Sequence, residues 1–153
     1  MQPSVDVSLN TALTQLDFGN NNLTNLDVSN NNALTILYCD VNQLTSLDVS
    51  NNTALTELYS GNNNLTSLDV SANPALTILN CITNQLTSLD VRNGNNTNFS
   101  TFNSRFNPNL TCIYVDDASY STENWIDIDP ASTFVNNEAE CEVLSLEGNA
   151  LKL

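Results

Sequence analysis

Leucines recur along the chain at two fixed offsets. Leu13, Leu34, Leu55 and Leu76 stand 21 residues apart, and so do Leu23, Leu44, Leu65 and Leu86. One unit, residues 34–54, reads LTILYCDVNQLTSLDVSNNTA, and the next, residues 55–75, reads LTELYSGNNNLTSLDVSANPA. Each unit divides into halves of 10 and 11 residues that both open Leu-x-x-Leu. After the second leucine, inward and outward residues alternate for a few positions, the period of a short strand. Residues 5–8 are the second half of a truncated unit, Phe99 and Phe102 stand in for a leucine pair, and Leu110 to Ile113 closes the series. A fixed period of this length predicts a stacked solenoid with one coil per unit. The expected architecture is β-rich, with parallel strands, about five coils over residues 4–117, a closing segment at 118–141 and a flexible tail at 142–153.

Stacking is a physical requirement. A coil points about six apolar side chains inward, for example Leu34, Leu37, Cys39, Leu44, Leu47 and Val49. Burial contributes about 1.5–3 kcal/mol per side chain, which cannot offset about 1–2 kcal/mol per residue of backbone ordering. Neighbouring coils must supply the difference. They also explain the asparagines. Asn21, Asn42, Asn63 and Asn84 form one column, and Asn10, Asn31, Asn52 and Asn73 another. Each falls where a strand ends and the chain turns, so its amide can satisfy backbone groups the turn leaves unpaired.

These motifs resemble the leucine-rich repeat, whose consensus is Leu-x-x-Leu-x-Leu-x-x-Asn-x-Leu. More narrowly they are similar to the short nested class, sometimes called IRREKO repeats, over residues 5 to about 115. Residues 107–117 and 120–125 resemble the closing segment of such modules in secreted bacterial surface proteins. The resemblance implies a right-handed solenoid with a parallel sheet on one face, a role in binding proteins or glycans, and no catalysis.

Composition narrows the function. With 17 acidic and 3 basic residues the net charge is -14, and residues 1–91 hold no Lys or Arg, which excludes binding to a phosphate backbone. No apolar run approaches the roughly 20 residues needed to span a membrane, so no membrane insertion is expected. The start, Met1-Gln2-Pro3, shows no export signal, consistent with a module of a longer secreted protein. There is no His, and neither a glycine-rich phosphate loop nor a metal-type cysteine spacing, so no enzyme activity is expected.

Cys39 and Cys81 share an inward column with Phe18 and Ser60. Two coils apart, roughly 9–10 Å at strand spacing, they are too distant for a disulfide. Cys112 and Cys141 are the expected bridge, which would pin the closing segment and implies an oxidising compartment. Asp6, Asp27, Asp48, Asp69 and Asp90 form a column whose carboxylates either cap turns or hold calcium. The acidic closing segment (Asp116, Asp117, Glu123, Asp127, Asp129) is the better calcium candidate, although no metal or cofactor is the leading expectation.

The outward columns of the first half-repeat run Gln15, Ile36, Glu57, Ile78, Thr101 and Asp17, Tyr38, Tyr59, Asn80, Asn103. Beside them stand Gly19, Asp40, Gly61, Ile82, Arg105 and then Asn20, Val41, Asn62, Thr83, Phe106. A contiguous apolar patch of this kind marks a binding surface, though cross-strand packing alone would also favour such residues. The candidate ligand-binding residues are Ile36, Tyr38, Asp40, Glu57, Tyr59, Ile78 and Asn80. The reading is a non-catalytic extracellular or cell-surface binding module for a protein or neutral polysaccharide. The alternative is a structural spacer or self-associating module, forming a homodimer through an open strand edge.

Overall fold

The computed structural model describes residues 4–150 and shows a parallel β-solenoid of about six turns. The first half-repeats place β2 (Gln15–Asp17), β4 (Ile36–Tyr38), β5 (Glu57–Tyr59), β7 (Ile78–Asn80) and β9 (Thr101–Asn103) in one five-stranded sheet in that order. Register follows the repeat: Gln15 pairs with Ile36, Ile36 with Glu57 and Glu57 with Ile78. The last pairing, Ile78 with Thr101, is longer because the unit after Val91 carries two extra residues around the turn Asn96–Asn98.

The second half-repeats also form strands, which adds a second sheet to the one expected. Its order is β11 (Thr133–Val135), β10 (Cys112–Tyr114), β8 (Ser88–Asp90) and β6 (Ser67–Asp69), while β1 (Ser4–Val5) pairs separately with β3 (Asn25–Leu26). Between these two groups residues 46–48 join no ladder. The outward residues here are serines and the Asp27, Asp48 and Asp69 carboxylates, with no basic residue among them, so like charges resist close approach. The sheet is continuous where Arg92 lies 2.6 Å from Asp90.

The core is the stack of inward leucines. Leu37, Leu58, Leu79, Leu44, Leu65, Leu86 and Leu89 are wholly buried. At the C-terminal end the column Leu58, Leu79, Phe102 meets Trp125, whose ring stacks on Phe102 at 4.3 Å and also touches Phe99 and Phe134. The closing segment is therefore another coil. It contains α1 (Ala118–Asn124), capped by Asp117 accepting from the Tyr120 amide at 3.0 Å, and then β11. The repeat pattern hides this turn because its inward residues are Trp125 and Phe134 rather than leucines.

One expectation changes here. Residues 142–150 are helical, continuing α2 (Glu138–Ala150), where a flexible tail was expected; residues 151–153 lie outside the described residues. Cys112 stands in β10, between β8 and β11, one residue before the inward Ile113 that pairs with Leu89, and it is buried. Its disulfide to Cys141, with Cα atoms 5.9 Å apart, ties α2 to the second sheet. Arg92 adds a second tie, donating to Glu138 at 2.9 Å while lying 4.9 Å from the Tyr114 ring.

Cys39 and Cys81 are free and fully buried, and burial pushes both thiols up to about 12. A thiolate is the reactive species, so thiol reagents should modify neither cysteine in the native protein. Unfolding without reductant should release two thiols. A count of four would mean that the Cys112–Cys141 bond is absent.

Candidate functional site: the aromatic sheet face

The five-stranded sheet brings six of the seven candidate residues onto adjacent strands. Ile36, Glu57 and Ile78 lie side by side, as do Tyr38, Tyr59 and Asn80. The seventh, Asp40, sits just past β4 and joins a groove of about 250 Å³ lined also by Tyr38, Tyr59, Gly61, Asn62, Asn80 and Ile82. All seven candidates are half-buried, because neighbouring outward side chains shield one another. The Tyr38 and Tyr59 rings stack, with centroids 4.7 Å apart and planes 17° from parallel. The Tyr59 hydroxyl donates to Glu57 Oε2 at 3.3 Å. Burial first, then the Glu57 carboxylate, raises the Tyr59 phenol above its ordinary value, which keeps it a donor.

Gly61, Asn62 and Ile82 were absent from the sequence-derived set. Gly61 is the informative one: a Cβ there would stand 2.7 Å from Ile82 Cγ2 and 3.1 Å from the Ile82 carbonyl oxygen. Its lack of a side chain opens the groove beside Tyr59. In its column, Gly19, Asp40, Gly61, Ile82 and Arg105, the glycine stands between two larger residues, which is the signal that sequence reading could have used.

The tyrosines stand where this turn has a default residue. At the equivalent positions, Asp17 accepts from the Gly19 amide at 3.0 Å, Asn80 from Ile82 at 3.2 Å and Asn103 from Arg105 at 3.1 Å. Each closes a turn with its own side chain. A tyrosine cannot make that bond, so two consecutive coils give it up at residues 38 and 59. The other face shows no such break. Asp6, Asp27, Asp48, Asp69 and Asp90 all accept from the amide two residues on, at 2.8–3.0 Å.

That second column has a structural chemistry. Bonds from the Ser8, Ser29 and Ser50 side chains, and then from their amides, hold Asp6, Asp27 and Asp48 below the ordinary carboxylate value. At Asp90 burial opposes ionisation, but the Arg92 side chain, amide and charge together outweigh it and lower the pKa. The clefts beside this column, about 210 and 390 Å³, are bordered by these same turn residues; the smaller lies at the interrupted ladder and the larger beside the paired β1 and β3. In the closing segment the carboxylates are dispersed. Asp117 caps α1, Asp127 faces Arg105 at 3.4 Å, and Asp129 accepts from the Phe106 and Asn107 amides. Among the described residues no three acidic or cysteine side chains converge on a point that could hold a metal ion.

Behind the sheet runs the asparagine ladder. Asn63 Oδ1 accepts from the Leu44 amide at 2.9 Å, and its Nδ2 donates to the Cys39, Ser60 and Gly61 carbonyls. Asn42 and Asn84 repeat the arrangement, and Asn107, outside the column as read from spacing, extends it by accepting from Leu86 at 3.1 Å. Asn21 is different: it is exposed and donates only to carbonyls of its own turn. The residues Asn20, Val41, Asn62, Thr83 and Phe106 lie in the left-handed region, with φ between 53° and 59°, because the strands end three residues earlier and the chain turns here rather than continuing the sheet. Asparagine suits that conformation. A β-branched Val41 or Thr83 is strained in it.

No protein-family model and no curated protein matches the chain. Among solved structures it is similar to one titled "Functional domain of InlJ from Listeria monocytogenes includes a cysteine ladder", at 34% identity and a TM-score of 0.66. The match covers 88% of this chain, which spans about a third (33%) of that one. In the present chain the inward column at the strand ends is not all cysteine but runs Phe18, Cys39, Ser60, Cys81, Ser104. The fold is a solenoid of the leucine-rich-repeat type.

Proposed function

We propose that this chain is a non-catalytic, extracellular binding module that recognises a protein or a neutral polysaccharide through the five-stranded sheet. The observation that carries the reading is the stacked Tyr38–Tyr59 pair, placed where the fold's own default is a turn-closing Asp or Asn. Structure alone would favour the default in both coils. Ile36, Glu57 and Ile78 extend the patch along β4, β5 and β7, and Asp40 and Asn80 supply polar groups at its edge. The Cys112–Cys141 bond fits an oxidising, extracellular setting.

The test restores the default. In a Tyr38→Asn, Tyr59→Asn variant the lost ring contact is offset by two regained turn bonds. The melting temperature should hold within about 4 °C, the shift that roughly 1 kcal/mol produces in a domain of this size. Ligands captured by the native chain from a glycan array and from a set of purified surface proteins should be lost by the variant. Ligands retained in full would place binding elsewhere.

A further inference from the structure

The groove beside the tyrosine pair is electrostatically one-sided. Asp40 lines it, Glu57 lies on the same strand as Tyr59, and Asp17 lies one coil from Tyr38. Among the described residues no cation answers them. Residues 1–91 contain no Lys or Arg, Arg92 is engaged with Asp90 and Glu138 on the other sheet, and Arg105 faces Asp127. Across the whole chain the charge is -14, so the long-range field also draws in positive partners.

Aromatic faces beside carboxylates are the chemistry that receives a cation. A guanidinium can lie flat on a tyrosine ring, held by the ring quadrupole, while its N–H fork pairs with a carboxylate. A neutral sugar would stack on the ring but would leave Asp40 partly desolvated without an opposite charge. Resting on the sheet-face reading above, we infer that the groove formed by Tyr38, Asp40, Tyr59, Gly61 and Asn80 takes the guanidinium of an arginine carried on a basic protein segment. Gly61 leaves the space beside Tyr59, Asp40 supplies the paired charge, and the Asn80 side-chain oxygen stands at the rim, already accepting from the Ile82 amide.

The probe is a fluorescein-labelled Gly-Arg-Gly-Arg-Gly peptide titrated by anisotropy with the whole chain at low ionic strength. Its partner probe carries citrulline, the neutral isostere, in place of arginine. The citrulline peptide should bind about tenfold more weakly or worse, and Asp40→Asn and the Tyr38→Asn, Tyr59→Asn variant should each weaken the arginine peptide by about tenfold. A charge control, Asp27→Asn with Asp48→Asn and Asp69→Asn, removes three carboxylates from the other face and leaves amide oxygens to close the turns. It should weaken binding by less than about threefold. Equal losses in the control and in Asp40→Asn, equal binding of the citrulline peptide, or no binding at all would overturn the arginine assignment. If a neutral glycan instead proved to depend on the tyrosine pair, the cationic partner would be discarded while the sheet-face reading stood. If no ligand depended on the pair, both would fall.

Discussion

Replacing Asn63 by alanine should cost about 3–6 kcal/mol, while the same change at Asn21 should cost under about 1 kcal/mol. The two asparagines occupy the same place in the repeat. Asn63 is buried between coils, and its amide serves the Leu44 N–H and three carbonyls. Alanine would leave the Leu44 N–H unpaired away from water, at roughly 1–3 kcal/mol, and would take one of two donors from the Cys39, Ser60 and Gly61 carbonyls, which keep Asn42, Asn84 and the Val41 amide, at about 0.5–1.5 kcal/mol for each lost bond. Asn21 is exposed and bonds only two carbonyls of its own turn, which water can reach. A stability of about 5–15 kcal/mol makes the first loss a large fraction of the whole. Urea unfolding of the two variants side by side is the measurement. Similar midpoints would mean that the asparagines act through local turn propensity rather than by joining coils.

Truncating Trp125 to alanine should destabilise by about 3–5 kcal/mol, whereas phenylalanine should cost less than about 1.5 kcal/mol. The indole closes the end of the leucine stack, against Phe102 at 4.3 Å, Phe99 at 5.1 Å and Phe134 at 5.6 Å. Without it the last aromatic layer would face a cavity or water. Its Nε1 is buried and makes no hydrogen bond to the protein, so phenylalanine sacrifices area but no bond. Calorimetric melting of the two variants tests this. An equal loss in both would show that the indole nitrogen, rather than ring packing, contributes the stability.

Much of the architecture was legible before any coordinates. Period, half-repeat division, the inward leucines and the parallel stacking all follow from one rule: residues 21 apart occupy equivalent sites. The rule also distinguishes the cysteines. Cys39 and Cys81 fall in an inward column two coils apart, whereas Cys112 and Cys141 lie where the repeat breaks down. It fails where the pattern loses its leucines. The coil built from α1, Trp125 and Phe134 has no Leu-x-x-Leu to announce it, and α2 from residue 142 onward lies in a stretch that read as a tail. Asn107 escaped its column because insertions after Val91 shift the spacing.

The tyrosine face shows the same division. Column arithmetic put Ile36, Tyr38, Glu57, Tyr59, Ile78 and Asn80 on neighbouring strands, since equal spacing in a stacked chain fixes proximity. It gave no account of turn geometry. Spacing records which residues are equivalent, but not that Asp17, Asn80 and Asn103 bond their own backbone while Tyr38 and Tyr59 do not. Nor does it show that Val41 and Thr83 sit at positive φ, or that Asp48 borders a gap in the second sheet. From its sequence the chain determines the repeat and the order of stacking, because hydrophobic period is a local and additive signal. Which ladders close, which turns are capped and how the end of the stack is sealed were decided only in three dimensions. Those outcomes depend on side chains from different coils competing for the same hydrogen bonds, charges and space.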